Sequence, residues 1–227
     1  MNEAVAALDP DPVPLAHHFD DPEQQHDSAL LGMWCFLTTE VMFFGGLLTA
    51  YTVYRVSYPA EFAAASRHGL DMWIGGANTF VLLGSSLAVA LAVHASQQRW
   101  RRATVGYLLL TIGLGSAFLG IKAYEWSVEV HEGLFPGPRF TFEAHGEGLD
   151  VRKVELFFIL YFFMTGLHAL HMVIGLAIIA IIAAAIWLRR LPATGERPVE
   201  ITGLYWHFVD VVWVFLYPLL YLIHSRA

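Results

Sequence analysis

The run Ala29-Leu-Leu-Gly-Met-Trp-Cys-Phe-Leu-Thr-Thr-Glu40-Val-Met-Phe-Phe-Gly-Gly-Leu-Leu-Thr-Ala-Tyr-Thr-Val-Tyr54 decides the fold. It holds no Lys, Arg or Asp and a single Glu. As a helix rising ~1.5 Å per residue it covers ~39 Å, enough to cross a hydrocarbon layer ~30 Å thick. Glu40 then lies ~16 Å along the span. An acid at that depth costs at least ~2–3 kcal/mol on insertion scales, so Glu40 is expected to face protein or trapped water and to be protonated or paired.

Working outward, the same kind of block recurs. Of 227 residues 56% are hydrophobic and 15% charged, and the apolar residues come in long runs rather than in alternation. That composition is a polytopic membrane protein. Five runs are long enough to span: about 29–54, 72–96, 103–125, 156–188 and 203–223. The expected fold is all-α, a bundle of five transmembrane helices over residues 29–227. Residues 1–28 hold Asp9, Asp11, Asp20, Asp21, Asp27 and four prolines but no Lys or Arg, so they read as a disordered acidic tail without the positive start of a signal peptide.

The net charge of −7 comes largely from that tail and from the 127–154 loop, with Glu129, Glu132, Glu143, Glu147 and Asp150. An acidic balance outside the bundle argues against nucleic-acid binding. The single Cys35 offers neither a disulfide nor a thiolate metal cluster. Basic residues set the orientation: Arg99, Arg101, Arg102, Arg189, Arg190 and Arg197 crowd two short turns. The opposite segments hold as many, Arg55, Arg67, Arg139, Arg152, Lys153 and Arg226, spread more thinly. Density beside span ends favours the N-terminus inside.

Small residues suggest helix packing: Ala77, Gly84, Ala88 and Ala92 in the second span, and Gly106, Gly113, Gly115 and Gly120 in the third. Polar groups inside or near the spans are fewer and more informative. Lys122 and Glu125 are three residues apart and read as an interfacial ion pair flanked by the belt residues Tyr124 and Trp126, or as one mouth of a proton path. His168 and His171, in Thr165-Gly-Leu-His-Ala-Leu-His-Met-Val-Ile-Gly175, share a helical face. Interhelical or lipid-headgroup hydrogen bonding is the simplest use of them, with proton relay and haem or metal ligation as alternatives. In Tyr205-Trp-His-Phe-Val-Asp-Val-Val-Trp213, His207 and Asp210 are placed to pair and so to lower each other's insertion cost.

Three strings together resemble subunit III of the haem–copper oxidases: Thr39-Glu-Val-Met-Phe-Phe44, the 165–175 run, and above all the 205–213 run. The resemblance covers about 29–224 and is to the short five-helix bacterial form, lacking the two leading spans of the longer one. It implies a non-redox accessory core subunit of a terminal oxidase in aerobic respiration, without haem, copper or other metal of its own. Haem and copper would sit in partner subunits I and II, and this chain would stabilise the catalytic subunit and sustain proton uptake. Whether the chain counts as an enzyme follows only from its complex, which reduces oxygen and translocates protons; no catalytic residue is assigned.

The resemblance also implies a multi-pass place in the bacterial cytoplasmic membrane, and a bound phospholipid touching Glu40, His168, His171 and His207. Further small subunits or a respiratory supercomplex are compatible partners. Glu40 matches the family's membrane-embedded carboxylate; His168, His171, His207 and Asp210 match its polar motif positions, and Lys122 and Glu125 remain proton-related or buried polar groups. Alternatives are an accessory subunit of a nitric oxide reductase, which shares these motifs, a proton-coupled transporter, and a b-haem anchor. Against the transporter, the chain lacks two inverted halves.

Overall fold

A computed structural model describes residues 19–142, 148–189 and 196–222, with the side chains of 196 and 197 left aside. The tail residues 1–18, Glu143 and Glu147 of the acidic loop, and Arg190, His224 and Arg226 lie outside the described residues. Among the described residues six helices follow in order: α1 Pro22–Ser57, α2 Pro59–Gly69, α3 Met72–Gln97, α4 Arg101–His131, α5 Val151–Trp187 and α6 Glu196–Tyr221. There is no strand among the described residues. All but α2 are long and apolar enough to cross a membrane, giving the five expected spans.

The ends differ from the hydropathy boundaries, for local reasons. α1 starts at Pro22 because the Asp21 carboxylate accepts from Gln24 N at 2.7 Å and Pro22 fits the first turn. Residues 22–28, expected as tail, are therefore helical. α4 runs on to His131 and stops where Gly133 adopts φ +77°, and α5 starts behind the Asp150 cap, so the connection expected at 127–154 shrinks to 132–150. Short α2 was not expected; Pro59 starts it directly after α1.

α3 and α4 form a close antiparallel pair, and α6 lies against α3 and α5. α1 is peripheral. Its buried residues, Leu37, Phe44 and Tyr51, recur every seventh position, a narrow stripe on an otherwise apolar rod. Glu40 sits between the first two on that stripe, so the carboxylate is turned inward by packing. Polar groups tie the ends together. Tyr51 and Ser66 hydroxyls donate to the Leu219 and Leu220 carbonyls at 2.8 and 2.6 Å, satisfying the last turn of α6 after Pro218. At the other end Arg101 donates to the Ile186 and Trp187 carbonyls that close α5.

The glycine stripe of the third span divides. Gly115 meets Trp206 and Leu176, whereas a Cβ on Gly106, Gly113 or Gly120 would touch nothing within 4 Å. Only one of the four is a packing glycine, because the other three point away from α3, α5 and α6. In α3, Ala88 and Ala92 are buried and Gly84 approaches Leu114, but Ala77 is exposed.

Candidate functional site

Three polar constellations lie within the bundle. The first joins α1 to α5. Glu40 Oε2 stands 3.3 Å from His171 Nε2, and the opposite ring nitrogen of His171 donates to the Leu167 carbonyl at 2.8 Å. Since a carbonyl can only accept, Nδ1 carries a hydrogen and Nε2 is the atom left to face the carboxylate. The contact is close but too oblique for a formed hydrogen bond. Phe44 packs edge-on against the imidazole, and Tyr205 holds the next position by donating to the His171 carbonyl at 3.0 Å. The pair opens on a cleft of about 500 Å³ between α1, α5 and α6, whose remaining walls include Met33, Phe36, Ile174 and Ile178. A carboxylate and an imidazole at the rim of an apolar slot suit an amphipathic ligand.

The second constellation is the core of the α3–α5–α6 contact. His168 does not share the surroundings of His171: it is buried between Phe118 and Trp213, and its Nε2 donates to the Val209 carbonyl at 3.2 Å. Enclosed in this way it cannot reach lipid, which removes it from the expected lipid-contact set. His207 and Asp210 do not pair with each other. The His207 Nδ1 meets Ser86 Oγ at 2.8 Å, while neither Asp210 oxygen has a hydrogen bond within normal geometry, although Ser86 lies beside it. The expected pair fails because α3 interposes a hydroxyl and takes the imidazole. Around them Trp206 Nε1 donates to Ser85 Oγ at 3.1 Å and Trp213 Nε1 to Thr79 Oγ1 at 3.0 Å, so both indoles pin α6 to α3.

The third constellation forms the expected Lys122–Glu125 ion pair and encloses it within the chain. Both are buried, Lys122 with only 2% of its surface exposed. The ammonium donates to Glu125 Oε2 at 3.1 Å, Tyr161 Oη at 2.7 Å and Tyr221 Oη at 2.5 Å. Tyr221 in turn donates to Glu125 Oε1 at 2.5 Å, and Tyr161 to Glu129 Oε1 at 2.6 Å. The flanking belt residue Tyr124 is exposed as expected.

Sequence reasoning missed Glu129, Tyr161 and Tyr221 as members of this network. Glu129 carried a legible signal, since 122, 125 and 129 recur at helical spacing on one face of α4. The tyrosines carried none, coming from helices distant in sequence. Among the described residues no group of three or more His, Cys, Asp or Glu side chains converges as a metal-binding set.

The comparisons with known proteins agree with the strings that carry these groups. Residues 154–225 match the family described as cytochrome c oxidase subunit III. Over 201 residues the chain is 31% identical to cytochrome c oxidase subunit 3 of Synechocystis sp., covering 87% of this chain and 76% of that one. It is 29% identical over 211 residues to cytochrome c oxidase subunit 3 of Thermostichus vulcanus, covering 90% and 92%. The cytochrome bo(3) ubiquinol oxidase subunit 3 of Pseudomonas aeruginosa is 26% identical over 211 residues, covering 92% and 91%. The family match takes in α5 and α6 with His168, His171, His207 and Asp210, the relatives extend the likeness over most of the chain, and the chain belongs to the subunit III family of the haem–copper oxidases.

Proposed function

We propose that this chain is the non-redox accessory subunit of a haem–copper terminal oxidase in a bacterial cytoplasmic membrane, packed beside the haem- and copper-bearing subunits I and II. It steadies the catalytic subunit and sustains proton uptake. The observation that carries the reading is the Glu40–His171 pair at the rim of its apolar cleft, on the helix least covered by its own chain. Leu31, Trp34, Met42 and Val56 leave the outward side of α1 apolar and exposed, a surface suited to a partner helix or to lipid. The slot beside Glu40 would hold a phospholipid chain with its headgroup toward the polar rim.

The distribution of basic residues at the ends of the bundle supports one orientation. The start of α1 lies with the α3–α4 turn and the end of α5, where Arg99, Arg101, Arg102 and Arg189 gather. His26 of α1 stands 4.0 Å from Glu200 of α6 at that same end. The positive-inside bias puts this end, and the N-terminus, in the cytoplasm. The names of the relatives favour an oxidase over a nitric oxide reductase, and no inverted repeat supports a transporter.

Extraction of native membranes in mild detergent tests the reading. Capture through this chain is expected to bring down haem- and copper-bearing subunits that consume oxygen. A chain recovered alone, or with a complex that consumes nitric oxide and not oxygen, overturns it.

A further inference from the structure

The hydrogens of the Lys122 network can be counted completely. An ammonium offers three, and Lys122 places them on Glu125 Oε2, Tyr161 Oη and Tyr221 Oη. Each tyrosine offers one, and these go to Glu129 Oε1 and Glu125 Oε1. Five donors are thereby spent. Glu125 has both oxygens satisfied, and Glu129 has one; Glu129 Oε2 is buried without a partner. With Lys122 charged and both acids ionised the formal sum is −1, at a site where Glu129 is only 2% exposed. Donor and charge counts both fall short by one proton, at one named atom.

Such a deficit is costly in a low-dielectric interior unless something supplies it. A cleft that Glu129 itself lines brings the aqueous phase close. It measures about 540 Å³ and lies against Glu125 and Glu129, between the end of α2, the start of α3 and the last turns of α4. Its rim carries the exposed polar residues Arg67, His68, Asp71 and Glu132, so its mouth is polar. It opens at the end of the bundle that holds the α4–α5 connection, away from the Arg101 end. A metal does not suit the position, because among the described residues no three metal-ligating side chains converge there.

We infer that the Lys122–Glu125–Glu129–Tyr161–Tyr221 network is a single-proton binding site, loaded at Glu129 Oε2 from the aqueous phase on the α4–α5 connection side. On loading, hydronium in the cleft gives its proton to Glu129 Oε2, an O–H bond forms there, and water is left behind; unloading is the reverse. The network then goes from −1 to neutral.

The charges that bear on Glu129 are few and named. Lys122, Glu125 and Glu132 face it from its own helix, Tyr161 from α5 and Tyr221 through Glu125 from α6, while Arg67, His68 and Asp71 stand at the rim. This site is separate from Glu40 and His171, which lie on α1 and α5 around a different cleft, and it stands whether or not the proposed role of Glu40 holds.

Infrared difference spectroscopy of the intact complex in lipid nanodiscs, with the bath taken between about pH 5 and about pH 10, tests it. The expected result is a carboxylic-acid carbonyl band that disappears as pH rises and belongs to Glu129, so that it stands out in the difference between the unaltered complex and its Glu129→Gln variant. Glu129→Gln is expected to lose that band and Glu40→Gln to keep it. Glu129→Asp, which restores a carboxyl group, is expected to show it at a shifted frequency. Glu125→Gln leaves Lys122 balanced by Glu129 alone, so it is expected to abolish the band over the same range, and it serves where Glu129→Gln does not assemble. Titrating carbonyl bands that are the same with and without Glu129→Gln, or the absence of any titrating band in the unaltered complex, overturn the assignment.

Discussion

Gly75 of α3 and Tyr221 of α6 are fitted to each other: a Cβ on Gly75 would stand 2.8 Å from the tyrosine ring. That close approach is what allows the Tyr221 hydroxyl to reach both Lys122 and Glu125. A residue without a side chain on one helix therefore decides the hydrogen bonding of a buried charge on another.

Gly75→Ala is expected to push the Tyr221 ring aside and weaken both of its hydrogen bonds, at about 1–3 kcal/mol. Tyr221→Phe removes the same bonds without the steric push. If both act through the hydroxyl, the double variant costs less than the sum of the two. Thermal unfolding of the purified complex and its three variants measures the coupling; strict additivity would show that Gly75 matters only for backbone contact.

How much of this was legible in the sequence depends on the distance over which each feature is encoded. Five spans were readable because each is a continuous apolar run, and Glu40 stood out as a lone acid within one. Helix ends were less so, since hydropathy falls off before the helix does: Asp21 and Asp150 extend α1 and α5 into polar sequence through single capping bonds. The glycines of α4 show the same limit from the other side. Spacing places Gly106, Gly113 and Gly120 on one face but does not say that the face is empty.

Of the candidate residues, Glu40 and His171 meet, while His207 is taken by Ser86 from a helix about 120 residues away in sequence. Partners of that kind have no local pattern to read. Asp210, which looked paired, has no formed hydrogen bond at all, and Tyr161 and Tyr221 passed as ordinary span aromatics.

Glu40→Ala removes the carboxylate but leaves Leu37, Phe44 and Tyr51 to seat α1. The expected outcome is an assembled complex with near-normal initial oxygen consumption that loses activity progressively under prolonged turnover. Oxygen-electrode traces carried through thousands of turnovers check this. Full activity to the end would reduce Glu40 to a packing residue.

Lys122→Met takes the only cation out of a buried network that holds two acids. Breaking one side of a buried pair strands the other, and the expected loss is about 3–5 kcal/mol. Lys122→Met combined with Glu125→Gln removes one charge of each sign and is expected to recover part of that loss. Thermal inactivation of the two variants separates the cases: no recovery would mean that Lys122 acts through its packing against Tyr161 and Trp213 rather than through charge.

Two glycines of α4 make the last contrast. Trp206 is fully buried between Gly115 of α4 and Gly175 of α5, with an added Cβ 2.9 Å from the indole at the first and 3.0 Å at the second. The ring cannot retreat, because Nε1 is bonded to Ser85 and backbone closes both sides. Gly115→Ala is therefore expected to cost about 1–3 kcal/mol as overpacking. Gly106 lies on the same helix with open space beyond it, so Gly106→Ala adds a methyl group without a clash and relieves the conformational freedom of glycine, a gain of about 0.5–1 kcal/mol. Opposite shifts in the unfolding temperature of the two variants are the expected reading. A destabilised Gly106→Ala would show instead that a partner subunit closes on that face of α4.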